Sequence, residues 1–305
     1  MGRPSWPLSW VESGACSIEP ERREAETDAP RGERTVGMSW VDVVLLAVVQ
    51  GLTEFLPVSS SGHLVLAAAW LHVDEPGVVL EIVLHLGTLI AVVLYFREDV
   101  WSLLSDGWSL LRGHRSLEQR RSGAMIVWLI LGTLPAAIFG YFFGDHVEAA
   151  FEDPRIVCVA LLLTGLLLLS TLFRRPGRRQ LSGGIALLVG LWQTLALFPG
   201  ISRSGSTIAG GMLLGLRPEE AARFSFLLSI PIILGAALLK VRALGSAMGH
   251  GQAGQYLVGL LVAFLLGYAS IGILLRLVRT RRFGFFGIYC LLMGTFGLIW
   301  FGVGR

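Results

Sequence analysis

The chain has 305 residues, of which 53% are hydrophobic and only 15% charged, with a mean hydropathy of +0.66 and a formal net charge of +3. Soluble domains carry about 25% charged residues, and so few polar side chains cannot cover so much apolar surface, which excludes a soluble enzyme, a disordered chain and a fibrous repeat. What remains is an all-α polytopic integral membrane protein; its basic residues sit in short clusters between apolar runs and make no nucleic-acid footprint.

Residues 1–37 stand apart. They hold five Arg and seven acidic residues and no apolar run, so they lack the core of a signal peptide. They read as a disordered N-terminal extension, with translation from Met38 as the alternative. Residues 38–305 read as a single membrane-embedded domain. Its apolar segments cover approximately 40–57, 78–96, 124–144, 156–173, 183–199, 224–241, 256–278 and 284–303. Six of these are long enough to cross about 30 Å of hydrocarbon. The other two, 40–57 and 183–199, end in the turns LPVSSSGH and FPGISRSG, each followed by a short apolar piece, 64–73 and 207–216. A segment, a break and a short return predict a re-entrant helical hairpin, and irregular backbone at that depth needs protein or a wet cavity around it.

Loop charge sets the orientation. Residues 97–121, 174–179 and 276–282 are arginine-rich and should lie in the cytoplasm, whereas 145–155 is mostly acidic and should face out. Six transmembrane helices with two re-entrant hairpins satisfy these loops.

The chain also repeats. Shifted by 143 residues, QGLTEFLPVSSSGH (50–63) falls on QTLALFPGISRSGS (193–206), with Gln50/Gln193, Leu52/Leu195, Phe55/Phe198, Ser59/Ser202, Ser61/Ser204 and Gly62/Gly205 identical. Repeat 1 spans about 38–173 and repeat 2 about 182–305. Three spans separate the two hairpins, so the second enters from the opposite face. This is an inverted-topology repeat, whose broken helices tend to meet near the midplane.

The copies differ where polar chemistry appears. Glu54 stands opposite Leu197, Ser60 opposite Arg203 and His63 opposite Ser206. An Arg at the centre of a span costs about 2.5–3.5 kcal/mol on insertion scales, so Arg203 needs a use. Its fork of donors suits phosphate oxygens, and Ser202, Ser204, Thr207 and the neighbouring glycines supply hydroxyls and turn amides. A short helix starting near Ile208 would point its positive end at the same place. Gln50 and Glu54 are four apart and share a helix face. Glu54 fits an acid/base or a metal ligand. His63, beside Ser59, Ser60 and Ser61, fits a base toward a hydroxyl or a phosphoryl acceptor. His85 divides evenly between the site and a plain polar contact, and Glu81 reads as an interface residue. Cys16, Cys158 and Cys290 form no disulfide framework.

With these residues in view, the chain resembles the bacterial undecaprenyl-diphosphate phosphatase family, also called the bacitracin-resistance protein family. QGLTEFLPVSSSGHL resembles its first signature, FPGISRSGSTIAGG its second, and HLGTLIAVVLYFR a third stretch. The likeness covers essentially all of 38–305. It implies removal of the terminal phosphate from a C55 isoprenyl diphosphate, which regenerates the monophosphate carrier for peptidoglycan synthesis and removes the target of bacitracin. It implies a multi-pass protein of the bacterial cytoplasmic (inner) membrane whose site opens outward. It implies Glu54, Ser60, His63, Ser202, Arg203 and Thr207 as functional positions; Glu54, Ser60, His63 and Arg203 are expected to be catalytic, and Ser202 and Thr207, together with Gln50, Ser59 and Ser204, to bind the substrate. It further implies dependence on Mg²⁺ or Ca²⁺ held by Glu54, and no organic cofactor. A homodimer is left open. The family's first acidic-pair position is Gln50 here, which weakens any scheme needing two carboxylates. The rival reading is a transporter or flippase of a polyprenyl phosphate, since inverted repeats and broken helices serve transport too.

Overall fold

A computed structural model describes residues 39–71, 78–112, 117–174, 177–247 and 252–303. The extension 1–37 and the loop residues His72, His114 and His250 lie outside the described residues. Residues Met38–Arg305 form one compact unit.

Among the described residues the chain is helical, without a named strand. The first hairpin is α1 (Trp40–Thr53) and α2 (Ser60–Leu71). Then come α3 (Val78–Tyr95), α4 (Arg97–Leu111), α5 (Leu117–Ala149) and α6 (Pro154–Ser170). The second hairpin is α7 (Gly183–Leu195) and α8 (Arg203–Leu213), followed by α9 (Pro218–Ala247), α10 (Ala253–Arg279) and α11 (Phe286–Val303). Five helices, α5, α6, α9, α10 and α11, are long and apolar enough to cross a bilayer. A sixth is reached if α3 and α4, bent by 80° at their junction, are counted together.

Helix starts follow local chemistry. Ser39 and Asp42 form a capping box ahead of α1, with Asp42 N–H donating to Ser39 Oγ at 3.2 Å and Ser39 N–H donating to the Asp42 carboxylate at 3.1 Å. Asp153 caps α6 and is followed by Pro154, whose missing N–H costs nothing in a first turn. The large apolar side chains left exposed, such as Leu166, Leu265 and Leu292, mark surfaces that face lipid.

One element was not expected. Residues 97–111 read as loop, yet α4 is a helix lying across the end of α3. Its charges, Arg97, Glu98, Asp99 and Asp106, keep it below the hydropathy of a span. Trp101, Leu104 and Trp108, spaced three and four apart, are exposed on one face. That pattern fits a helix lying in the interface. An ion pair from Asp99 to Arg223 of α9 ties it down.

The repeat is visible in the packing. α1 packs on α10 as α7 packs on α5; α3 packs on α10 as α9 packs on α5; α3 meets α9, and α6 meets α11. Close approach in that last pair is reciprocal: a Cβ on Gly165 would lie 2.8 Å from Gly287 O, and one on Gly287 would lie 2.6 Å from Gly165 O. Small residues let two backbones touch where lipid offers no hydrophobic drive.

Candidate active site

Both hairpin tips are built alike. Ser59 Oγ accepts from Gly62 N–H at 3.2 Å and lies 3.3 Å from Ser61 Oγ. Ser202 Oγ accepts from Gly205 N–H at 3.0 Å and lies 3.2 Å from Ser204 Oγ. These are the repeat-related residues, each serving as a helix cap. The tips touch where a side chain would not fit: a Cβ on Gly62 would lie 2.9 Å from Gly200 Cα. Gly200 also needs its φ of +93°, which L side chains rarely adopt. Each turn is then pinned from a neighbouring span. Thr164 of α6 donates to Gly200 O at 2.9 Å and accepts from Ser202 N–H at 3.1 Å, while Cys290 of α11 lies 3.6 Å from Pro57 O.

α8 starts earlier than the sequence suggested, at Arg203 rather than near Ile208. The Ser202 cap explains the difference, because it satisfies the Gly205 N–H that would otherwise be orphaned. Arg203 therefore occupies the first helical position. Its Nη2 donates to Glu54 Oε1 at 2.7 Å, joining the two repeats. The other carboxylate oxygen, Oε2, accepts from Ser60 Oγ at 2.6 Å and from Gln50 Nε2 at 3.0 Å. Arg203 Nη1 is buried and has no hydrogen-bond partner among the described residues.

These groups border a cavity of about 170 Å³. Glu54, Ser59, Ser60, Ser202, Arg203 and His85 line it, with apolar wall from Ile232, Ile233 and Ala236 of α9. His85 Nδ1 is 2.8 Å from Glu81 O, so that nitrogen carries the proton and donates. Its Nε2 faces Glu54 Oε2 at 3.8 Å. The imidazole on the cavity wall is thus His85, which the sequence alone left evenly balanced.

His63 is placed elsewhere. Its Nδ1 lies 2.8 Å from Ser59 O and its Nε2 2.7 Å from Tyr289 OH, with the two rings stacked at 9°. The carbonyl accepts from Nδ1–H, so Nε2 accepts from the tyrosine hydroxyl and both nitrogens are engaged. Tyr289 lies 226 residues away on α11, and no sequence signal pairs it with His63. Gln50 is fully buried and reaches Glu54 rather than the cavity. Ser204 donates to Leu56 O at 3.1 Å, bracing one tip on the other. Thr207 lies off the cavity, against Ser225 Oγ at 2.5 Å and Arg203 O at 2.8 Å, where it steadies the first turn of α8.

The donors do not make a resident metal centre. Among the described residues no three of His, Cys, Asp and Glu cluster. Both oxygens of Glu54 are already engaged by Arg203, Ser60 and Gln50.

Comparison with known proteins identifies the family. A family model described as "Bacitracin resistance protein BacA" matches residues 43–296. An undecaprenyl-diphosphatase of Syntrophotalea carbinolica is 42% identical over 84% of this chain and 97% of its own length. One of Trichlorobacter lovleyi is 41% identical over 88% and 99%, and one of Thermobifida fusca 39% over 87% and 92%. A match this long, with both hairpin signatures folded onto one cavity, shows that the chain belongs to the bacitracin resistance protein BacA family.

Proposed function

We propose that the protein hydrolyses undecaprenyl diphosphate to undecaprenyl phosphate and inorganic phosphate. In the cell this recycles the lipid carrier for peptidoglycan and confers resistance to bacitracin. The observation that carries the reading is one buried carboxylate shared by a hydroxyl at 2.6 Å and a guanidinium at 2.7 Å on a cavity wall.

Arg203 is the anion clamp. Its unpartnered Nη1 and the amides of the first turn of α8 meet the diphosphate oxygens. Phosphoryl transfer has a loose transition state that needs placement and charge stabilisation above all. Ser60 Oγ attacks the terminal phosphorus while Glu54 takes its proton. The bond from that phosphorus to the bridging oxygen breaks, and the lipid monophosphate leaves. Water then attacks the phosphoserine as Glu54 returns its proton to Ser60 Oγ, and both protons of the water leave with the inorganic phosphate. His85 Nε2, the unprotonated ring nitrogen, lies 3.8 Å from Glu54 Oε2 and can accept from the carboxyl while Glu54 holds the proton. A divalent cation, if used, would arrive on the diphosphate. Every group named comes from one chain, so the chemistry needs no second copy.

The orientation follows from loop charge. The cavity draws on Glu81 and Ile82 early in α3 and on Ala236 in the second half of α9, the ends remote from the arginine-rich loops. The site then opens to the outer face of the cytoplasmic membrane.

The test is phosphate release from a C55 isoprenyl diphosphate by the purified chain in detergent. Stoichiometric phosphate and lipid monophosphate are expected. Binding without release would sink the hydrolytic reading in favour of a lipid transporter.

A further inference from the structure

A second cavity, of about 380 Å³, lies at the other end of α9. Pro218 and Glu219 border it, whereas the catalytic cavity begins at Ile232. At the helical rise, that puts the two about 20 Å apart along the helix. Its wall collects four guanidinium-bearing residues from three separate segments. They are Arg174 after α6, Arg217 ahead of α9, and Arg279 and Arg281 at the end of α10.

Only one carboxylate residue, Glu219, joins them on the wall. Among the described residues Arg279 and Arg281 form no ion pair, and Arg217 reaches Glu220 at 3.7 Å on an exposed surface. Loop charge asymmetry explains why arginines lie on this face, but not why they converge on one cavity. Convergence is unfavourable by itself. Burial, and then the nearby Arg281 guanidinium, push Arg174 below its ordinary value, with Glu219 acting the other way. Arg281 is moreover held at φ +58°, in the left-handed region that side chains with a Cβ avoid.

Thr171 apart, the rest of the wall has no polar side chain, and Leu172, Met212, Val278 and Phe283 make its apolar part. Phe173 (88% exposed) and Phe285 (56% exposed) flank it in sequence. A basic cradle with apolar side chains beside it matches an amphiphile with an anionic phosphate head.

We propose that this cavity binds a phosphate oxyanion on the face opposite the hydrolytic site, and that the anion is the head group of a membrane phospholipid. The apolar flank favours a lipid over free phosphate, and basic pockets between spans on the cytoplasmic side are suited to anionic heads.

Delipidated full-length protein in detergent tests this with three probes: phosphatidylglycerol, phosphatidylcholine and inorganic phosphate. Native mass spectrometry and thermal melting read binding. Phosphatidylglycerol is expected to remain bound, one per chain, and to raise the melting temperature, while phosphatidylcholine does neither. Arg174→Gln and Arg281→Gln should each weaken retention about fivefold, and together about 25-fold. Their phosphate release should stay at the wild-type rate, which shows that they are folded. An equal shift from inorganic phosphate would overturn the lipid assignment and leave a soluble phosphate site. Equal retention of phosphatidylglycerol and phosphatidylcholine by the wild type would overturn the proposal outright, without recourse to any variant. So would wild-type retention of phosphatidylglycerol by the double variant.

Discussion

Arg203 places Nη2 2.7 Å from Glu54 Oε1, across 149 residues of chain and between two hairpins of opposite insertion. Removing either partner leaves the other charge buried in a span. Arg203→Ala should therefore lower turnover about 10²–10³-fold, the usual loss for one preorganised donor at a developing anion. Arg203→Lys is the sharper variant, because it keeps the charge and loses only the fork. It should remain folded and still be slow. A wild-type kcat in the lysine variant would disprove the clamp.

Ser60 donates to Glu54 at 2.6 Å, the contact on which its proposed role as nucleophile rests. Rapid quench with diphosphate labelled at the terminal phosphorus should trap an acid-stable phosphoenzyme. Ser60→Ala should abolish the label. An acid-labile, base-stable label would point to phosphohistidine instead.

Two histidines lie near the first hairpin, and the structure separates their roles. His85→Gln should lower kcat about 10²-fold, at the low end for a group acting on proton transfer. Tyr289→Phe should leave the His63 Nε2 unpartnered and cost about 1–3 kcal/mol of stability, read as a lower melting temperature in detergent. Its kcat should stay near wild type. A large kcat loss in Tyr289→Phe with unchanged stability would mean that His63 takes part in the chemistry.

Gly200 is where the second tip meets both α6 and the first tip. A Cβ there would lie 2.3 Å from Val157 O, and its φ is +93°. Gly200→Ala should destabilise the protein by more than the roughly 1–2 kcal/mol of the left-handed penalty alone, since backbone must also shift. Differential scanning of the detergent-solubilised protein measures it. Gly144→Ala, where nothing beyond the adjoining backbone lies within 4 Å of the added carbon, serves as the control and should melt no lower than wild type.

Glu54 is the one carboxylate of the site within hydrogen-bond reach of Ser60 and Arg203, and it is already engaged. Protein purified without added metal should hold well under one divalent ion per chain by elemental analysis. Any activation by Mg²⁺ or Ca²⁺ should then depend on the diphosphate concentration, because the phosphate oxygens supply most of the ligands. A tightly held stoichiometric ion in the substrate-free protein would contradict this.

The all-helical membrane class, the two broken hairpins and the repeat were all legible in the residues. Each rests on local pattern: hydropathy over a span, Pro and Gly at a break, or identities at a fixed shift. α4 was not legible, because its charges mask an amphipathic face from any average over the segment. Which polar groups converge was only half legible. Glu54, Ser60 and Arg203 carry unlike chemistry at matched positions of the repeat, and that asymmetry pointed to them. His63 and His85 are alike as letters, and only helix rotation and the approach of α11 send one toward Tyr289 and the other toward Glu54. The same holds for the four arginines of the second cavity, which in sequence are ordinary cytoplasmic-loop charges. Hydrophobicity and chain turns act over a few residues and can be read in order. Convergence between residues 149 or 226 apart depends on how whole helices pack, and that is set by contacts no single segment contains.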